Sequence, residues 1–342
     1  MNNPILLCTV GGSHQPIITA IQATQPAYVC FFCTDKDPIS GRPGSIDLIT
    51  GKGNVIKASF NDPKSTLPNI PTQAMLENDQ FEVQIVSTDD LDSTYSVMHD
   101  VIDELVEKFP GVQFIADYTG GTKTMTAALV CAVLERDEVD LQLVTGVQLN
   151  LDRVQDGTEH VIAASVARLR LRRAMAPYLR SWKRFAYHEA AEGLSSIRIA
   201  AGHPDMVYFQ IALKLSQSLA HWDNFDHDGA FELIRIYSTP VSKCFPDMFR
   251  TLAVLTKKGD QREPAKLFDL WLNARRRADQ GRFDDAIARW YRLMEWTAQW
   301  QLRTKLDADT ADFPECLLPK GVDPIPDQDD KIKIADCNVL QW

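Results

Sequence analysis

Along the first half of the chain, apolar and polar residues are arranged in two distinct patterns. Short runs that are apolar throughout predict buried β-strands, and the amphipathic segments between them predict helices. The predicted strands are 4–10, 27–33, 81–86, 112–116 and 139–145, and the predicted helices are 15–23, 93–108 and 122–134. Strands that alternate with helices favour right-handed crossovers and a largely parallel sheet. The pattern therefore predicts an α/β, Rossmann-like domain with a parallel-rich sheet.

The pattern changes between about residues 160 and 175, where an arginine-rich segment begins. Beyond it the apolar spacing is helical, and the predicted helices are 205–221, 228–237, 246–257, 264–279 and 283–306. We therefore predict two domains, an α/β domain over 1–165 and an all-α domain over 166–342. The last residues are rich in Pro and Asp and end on an apolar segment. Either an irregular tail closes the helical domain, or the sequence stops before that domain is complete.

Composition narrows the class of protein. The chain has 342 residues, of which 45% are hydrophobic, and a formal charge of −10. The charge argues against a general nucleic-acid binder held by bulk electrostatics. The sequence has no apolar run long enough to cross a bilayer and no signal-peptide pattern, so we expect a cytoplasmic protein without a membrane partner. Cys30 and Cys33 form a CxxC within a predicted strand, without a second ligand pair at zinc spacing, which favours core residues over a metal site.

The segment DYTGGTKTM, Asp117 to Met125, carries the clearest chemistry. It joins a predicted buried strand to a predicted helix, whose first N–H groups and dipole favour an anion such as a phosphate. The turn GGSHQP, Gly11 to Pro16, has the same context after the first strand. Parallel strands place both turns on the sheet edge where ligands bind. The candidate ligand-binding residues are Gly11, Gly12, Ser13, His14, Gln15, Asp117, Thr119, Gly120, Gly121, Thr122, Lys123 and Thr124.

Neither turn matches a standard nucleotide-binding motif. A P-loop needs its lysine directly after a glycine, but Thr122 stands between Gly121 and Lys123. The turn GGSHQP likewise lacks the GxGxxG pattern. ATP hydrolysis and ordinary dinucleotide binding are therefore disfavoured. The glycines alone are also compatible with two tight connections that bind nothing, but two such turns with threonines and a lysine favour a ligand site.

These motifs carry a resemblance. A strand ending in GGS, paired with a later strand ending in DYTGGTK, resembles the CARF domain, the Rossmann-like sensor of type III CRISPR systems. Two downstream segments, His221 to Ala230 (HWDNFDHDGA) and Leu270 to Gln299 (LWLNARRRADQGRFDDAIARWYRLMEWTAQ), resemble the helical half of a CRISPR-associated CARF–HEPN family. The resemblance covers most of the chain. It implies a CARF domain followed by an all-α HEPN-like domain.

The resemblance also implies a ligand and a partner. CARF domains form homodimers that bind a cyclic oligoadenylate, here cyclic tetra- or hexa-adenylate, which acts as the activator; no other cofactor is implied. A two-fold ligand suits a symmetric dimer. Some CARF domains also cleave their ring, through attack of a ribose 2′-OH on the adjacent phosphate. The candidates for that step are Ser13, Thr122 and Lys123, with His14 as a possible assistant.

For the helical half, the resemblance implies metal-independent cleavage of single-stranded RNA by an Arg…His motif, in which arginine stabilises the phosphorane and histidine transfers protons. The family places this motif after the GRFDDAIARWYR helix, but residues 308–342 contain neither Arg nor His, so this half resembles a truncated or degenerate HEPN domain. Arg198 and His203 have the right spacing elsewhere. Arg184 and His188 are one residue too close, although we predict them on one helix face. A ligand-activated ribonuclease, a ring nuclease and an inactive binding module all remain open.

Two further groups of side chains admit two interpretations each. The arginine-rich run of residues 168–184 either contacts RNA or, as we favour, pairs with acidic residues of this chain or a partner. Trp290, Trp296 and Trp300 are expected to be core or interface residues rather than base-stacking platforms.

Overall fold

The computed structural model describes residues 3–36, 41, 43–58, 62–146, 148–150, 153–154, 159–257, 259, 262–318 and 320–321. The chain divides into two units, Met1–Leu171 and Arg172–Trp342. The elements of the first unit are β1 (Ile5–Thr9), α1 (Gln15–Thr24), β2 (Tyr28–Cys33), α2 (Asp47–Thr50), β3 (Asn54–Lys57), β4 (Ser65–Pro68), α3 (Ile70–Gln73), β5 (Phe81–Ile85), α4 (Leu91–Lys108), β6 (Phe114–Asp117), α5 (Lys123–Val133), β7 (Val139–Thr145), β8 (Gln148–Asn150), β9 (Arg153–Val154) and β10 (His160–Ala164).

Six strands form one sheet in the order β10-β7-β6-β1-β2-β5. The five strands from β7 to β5 are parallel, and β10 is antiparallel to β7 at one edge. Leu7 of β1 packs in a core with α4 and α5, and its neighbour Leu6 packs in a second core with α1. Because both faces are covered, the strands are apolar throughout rather than alternating. The structure confirms the predicted parallel-rich, Rossmann-like sheet.

The connections of β1 define the point where a ligand is expected. From β1 the chain passes through α1 to β2, on one face of the sheet, and then on to β5. It returns through α4 to β6, on the other side of β1, and α4 and α5 cover the opposite face. The strand order therefore reverses between β1 and β6. In open α/β sheets, ligands bind beyond the carboxyl ends of the strands at such a switch point.

Cys30 and Cys33 both lie in β2 and are fully buried. Cys30 belongs to the core beneath α4 and α5, whereas Cys33 belongs to the core beneath α1. Residues three apart in a strand point to opposite faces, so these two thiols cannot ligate one ion. Burial raises the pKa of the Cys33 thiol to about 12, which keeps it protonated and unreactive.

The elements after β10 are helices: α6 (Ala167–Ser181), α7 (Tyr187–Ser196), α8 (Met206–Asp223), α9 (His227–Arg235), α10 (Ser238–Cys244), α11 (Pro246–Thr256), α12 (Arg262–Asp279) and α13 (Phe283–Leu306), with short 3₁₀ turns at Trp182–Arg184 and Glu315–Leu317. Gly281, with φ +74°, ends α12 in the left-handed conformation that permits the tight turn into α13. The helical character of this half is as predicted. None of the described helices combines the length and apolar character that a bilayer crossing requires.

Candidate functional site

The two glycine turns lie in contact at the switch point. Cys8 of β1 is paired in register with Asp117 of β6, so both strands end at the same level. A Cβ on Gly120 would lie 2.3 Å from the carbonyl oxygen of Thr9, and one on Gly11 would lie 2.6 Å from the nitrogen of Gly121. The Thr9 hydroxyl also donates to the Gly120 carbonyl at 2.7 Å. The glycines at 11 and 120 are therefore required by this close approach.

Asp117 organises the second turn from below. Its carboxylate is buried, and it accepts hydrogen bonds from the Thr119 N–H at 3.0 Å and the Gln142 amide at 3.2 Å. Burial raises the pKa of this carboxyl, and the hydrogen bonds from Thr119 and Gln142 oppose that rise. The Thr119 hydroxyl in turn accepts from the Val144 N–H at 2.7 Å. Asp117 and Thr119 therefore stabilise the conformation of the turn from its inner side, which faces the sheet.

Thr122 is the N-cap of α5. Its hydroxyl accepts from the Met125 N–H at 3.2 Å and donates to the Thr88 carbonyl at 2.9 Å. Both functions of the hydroxyl are therefore occupied by the protein, and in this arrangement Thr122 has no proton to offer a ligand. The bond to Thr88 joins the turn to the loop after β5, which ends at the same sheet edge.

The remaining predicted residues include the groups that are free to meet a ligand. The exposed Ser13 hydroxyl and Lys123 ammonium have no partner among the described residues. Among the described residues of the two turns, the backbone N–H groups that lack an acceptor include those of Gly12, Ser13, Lys123 and Thr124. His14 is the N-cap residue of α1, and Gln15 is the first residue of that helix. Unpaired helix N–H groups beside an ammonium form a site suited to a phosphate.

Sequence reasoning missed the residues that hold these turns together. Thr9, Thr88 and Gln142 each bond to one of the predicted turn residues. Of these three residues, Thr88 could have been predicted from the sequence. It lies in the segment Ser87 to Asp90, which follows β5, a further parallel strand that ends at the same edge. The contacts of Thr9 and Gln142 lie within predicted strands and leave no pattern in the sequence.

Arg198 and His203, the pair chosen by spacing, lie between α7 and α8. The His203 Nδ1 accepts from the Asp205 N–H at 3.0 Å, and Gly202 before it has φ +80°. Arg198 is exposed, and no hydrogen bond or ion pair joins it to His203 within the described residues. The structure places the two residues in one loop but does not bring their side chains together.

The prediction that Arg184 and His188 share a helix face is wrong. Arg184 ends the 3₁₀ turn Trp182–Arg184, whereas His188 lies in α7, and between them Phe185 has φ +57°. That left-handed residue breaks the helix. Arg184 instead pairs with Glu189 at 3.1 Å, and His188 with Glu192 at 3.3 Å.

Part of the arginine-rich run pairs within the chain. Arg170 donates to the carbonyls of Val133 and Val139, and Arg172 lies 3.5 Å from Asp205.

Of the tryptophans, Trp296 is half-buried and donates to Glu263 at 2.8 Å. Trp290 is 42% exposed, so it is not a core residue of the described chain.

The first downstream segment with family resemblance packs through polar groups against α12, the helix in which the second segment begins. Asp269 of α12 accepts from the Trp222 indole N–H at 2.9 Å and bonds to the His227 ring at 2.8 Å. Nearby, Asp223 of α8 pairs with Arg277 of α12 at 2.6 Å. We refer to Trp222, Asp223, His227, Asp269 and Arg277 as the polar network. It joins α8, α9 and α12, so the conspicuous polar residues of these segments serve the fold.

The first unit has a Rossmann-like sheet with two glycine turns at its switch point, and the second unit is helical. This arrangement agrees with the CARF–HEPN architecture that the sequence resemblance implies. Residues 256–336 match the family model described as the Csm6 HEPN domain. Together these findings confirm the resemblance to the CRISPR-associated CARF–HEPN family. No curated protein matches the chain.

A solved structure supports the same fold. Csm6 of Enterococcus italicus, bound to cyclic hexa-2′-fluoro-hexa-dAMP, superposes with a TM-score of 0.51 at 12% identity, over 95% of this chain and 73% of that one. Can2 of Sulfobacillus thermosulfidooxidans, in complex with cyclic tetra-adenylate, gives a TM-score of 0.27 at 12% identity, over 69% of this chain and 68% of that one. The second superposition is too loose to support an argument.

Proposed function

We propose that the protein is a type III CRISPR ancillary protein that binds a cyclic oligoadenylate at the two glycine turns and thereby regulates its helical HEPN-like unit. The observation that carries the proposal is the contact between the turns at the switch point. These turns present unpaired N–H groups at Gly12, Ser13 and Lys123 and an exposed ammonium at Lys123. A ring of nucleotides presents several phosphates, each of which needs such donors. The Csm6 structure with a similar fold holds a ligand of this chemical class.

The ring is also a candidate substrate. In this second function, a ribose 2′-OH attacks the adjacent phosphorus and the bond from phosphorus to the 5′ oxygen breaks. The ammonium of Lys123 would stabilise the charge that develops on the phosphate oxygens, and the Ser13 hydroxyl would orient the group. Both side chains are exposed at the turns, which favours them over Thr122, whose hydroxyl is occupied.

The output of the helical unit is proposed to be cleavage of single-stranded RNA. Arg198 and His203 remain the candidates for that reaction, although no hydrogen bond or ion pair joins their side chains within the described residues. A protein that binds the ring without cleaving either nucleic acid is the third possibility.

One experiment separates these functions. The protein is incubated with labelled cyclic tetra- and hexa-adenylate and with a reporter RNA, and binding and products are followed together. We expect micromolar or tighter binding of one ring, and Lys123→Ala to weaken it about 10- to 100-fold through loss of a charge-assisted contact. Lys243→Ala, which changes an exposed lysine of α10 in the second unit, serves as the matched control.

The products then assign the function. Linear oligoadenylate that disappears with Lys123→Ala or Ser13→Ala indicates a ring nuclease, and RNA cleavage only with added ring indicates an activated ribonuclease. RNA cleavage that persists in Arg198→Ala and His203→Ala would remove that pair. If neither ring binds at micromolar concentration, the ligand assignment is wrong.

We further propose that the protein acts as a homodimer. Four large apolar side chains along one side of α13 are exposed by 59 to 65%: Phe283, Ile287, Tyr291 and Met294. A contiguous exposed apolar face of this kind marks a surface for a partner. Light scattering is expected to give twice the chain mass, and Met294→Glu to lower it if α13 contributes. A monomer at micromolar concentration would contradict the proposal.

A further inference from the structure

The second unit contains two adjoining concave surfaces of different character. One is a cavity of about 310 Å³ with four aromatic residues, Trp182, Tyr187, Trp222 and Phe245, which we call the aromatic cavity. The other is a groove of about 1020 Å³ that includes Lys183, Arg184, Arg277, Arg282 and Arg289, which we call the cationic groove. Tyr187 and Asp223 line both of them. The two surfaces are therefore continuous.

The walls of the aromatic cavity are held in place by hydrogen bonds. The indole N–H of Trp182 donates to Ser216 at 3.0 Å, and that of Trp222 donates to Asp269 at 2.9 Å. Phe245 meets Trp182 edge-on, with ring centroids 6.5 Å apart. The volume lies within the range of about 300 to 1,000 Å³ that is typical of small-molecule sites. A fixed aromatic lining of this size suits a flat heteroaromatic ring.

The aromatic cavity contains a polar group, the Tyr187 hydroxyl, that does not contribute a hydrogen bond to the described part of the fold. The Tyr187 hydroxyl makes no hydrogen bond to any described residue. Asp223 and Arg276 lie at the same cavity but are paired with each other at 3.3 Å. Tyr187 thus offers a donor and an acceptor at the junction between the aromatic cavity and the cationic groove.

The cationic groove has a charge opposite to that of the whole chain. Five Lys and Arg side chains line it against four carboxylates, those of Glu189, Asp223, Asp279 and Asp285, whereas the chain carries −10. Arg184 and Arg282 are more than half exposed, at 68% and 55% of their side-chain surface. Exposed guanidinium groups exchange a carboxylate for a phosphate readily, because both anions match their planar fork.

We propose that the aromatic cavity and the cationic groove form one nucleotide-binding site, with a base in the cavity and its phosphate on Arg184 and Arg282. The ligand is a nucleoside monophosphate, either free or as one residue of a single-stranded oligonucleotide. This site is separate from the glycine turns and goes beyond the function proposed for them. The aromatic residues supply stacking, which tolerates any base.

Tryptophan fluorescence of the full chain provides the test, because all seven tryptophans lie at residue 182 or later. AMP and a short linear oligoadenylate are titrated, with adenosine and inorganic pyrophosphate as the base-only and phosphate-only probes. We expect AMP or the oligonucleotide to quench the fluorescence and to bind at least tenfold more tightly than either probe. Saturation by AMP alone identifies a free nucleotide as the ligand, and preference for the oligonucleotide identifies a polymer. Pyrophosphate that binds as tightly as AMP would overturn the proposal.

Variants separate this site from the glycine turns. Arg282→Ala is expected to weaken AMP about tenfold and to leave adenosine unchanged, whereas Phe245→Leu weakens both about fivefold or more. Arg250→Ala and Phe268→Leu change exposed residues outside both surfaces and are the matched controls. Circular dichroism confirms that each variant is folded. Loss of AMP binding in Lys123→Ala, with binding retained in Arg282→Ala and Phe245→Leu, would place the ligand at the turns instead.

Discussion

Replacing Gly12 with valine is expected to weaken cyclic oligoadenylate binding by at least 100-fold while leaving the melting temperature unchanged. A Cβ at Gly12 has no heavy atom within 4 Å, and the residue does not have a left-handed φ, so the fold accepts a side chain there. Its N–H is one of the unpaired donors at the turns. A ligand phosphate on that donor must approach the backbone closely, and two added methyl groups would occupy its place.

Calorimetry provides both measurements, the affinity by titration and the melting temperature by scanning. Gly12→Ala, with a single methyl group, is expected to give an intermediate loss of affinity. Gly120→Ala is the opposite control, because its Cβ would lie 2.3 Å from the Thr9 carbonyl oxygen and should destabilise the protein. A Gly12→Val protein that binds the ring as well as the wild type would show that the ligand does not sit on the first turn.

Replacing Asp269 with alanine is expected to lower the free energy of unfolding of the helical unit by about 2 to 6 kcal/mol. Asp269 is 1% exposed, and it accepts hydrogen bonds from Trp222 and from the ring of His227. Its removal leaves the buried His227 ring and the half-buried Trp222 indole N–H without a partner, at a cost of about 1 to 3 kcal/mol each. Because a whole domain is stable by only about 5 to 15 kcal/mol, this loss is large.

Chemical denaturation followed by tryptophan fluorescence reports this unit selectively, because the first unit contains no tryptophan. Asp269→Asn should lose less, since its amide oxygen still accepts from Trp222 and its NH₂ group can donate to a neutral imidazole. Asp247→Ala breaks an exposed ion pair with Arg250 and should change little. Equal stability of Asp269→Ala and Asp247→Ala would show that the polar network is dispensable.

The elements with a strong periodic pattern could be predicted from the sequence, some of them to the residue. Predicted strand 139–145 and helix 283–306 coincide with β7 and α13. Both are long, and their patterns fit only one type of element. The short hairpin of β3 and β4 was not predicted, because four-residue strands carry too little periodicity to be recognised.

The location of the site could be predicted from the sequence, but the role of each residue in it could not. Adjacent parallel strands that end in glycine turns must share an edge, so the meeting of Gly11 with Gly121 follows from topology. The sequence cannot show that the Thr122 hydroxyl is occupied by Thr88 or that Asp117 is buried, because both depend on contacts distant along the chain. The helix break at Phe185 depends on a left-handed backbone conformation. Because this conformation is uncommon for residues other than glycine, the sequence does not predict it.

The bond between the Thr122 hydroxyl and the Thr88 carbonyl has a consequence for the thermodynamics of binding. With the Thr9–Gly120 bond, it fastens the ends of β1, β5 and β6 to one another before any ligand arrives. These three strand ends are therefore preorganised, and ligand binding does not have to offset the conformational entropy that would be lost in assembling them. More of the contact energy at the turns therefore remains for affinity.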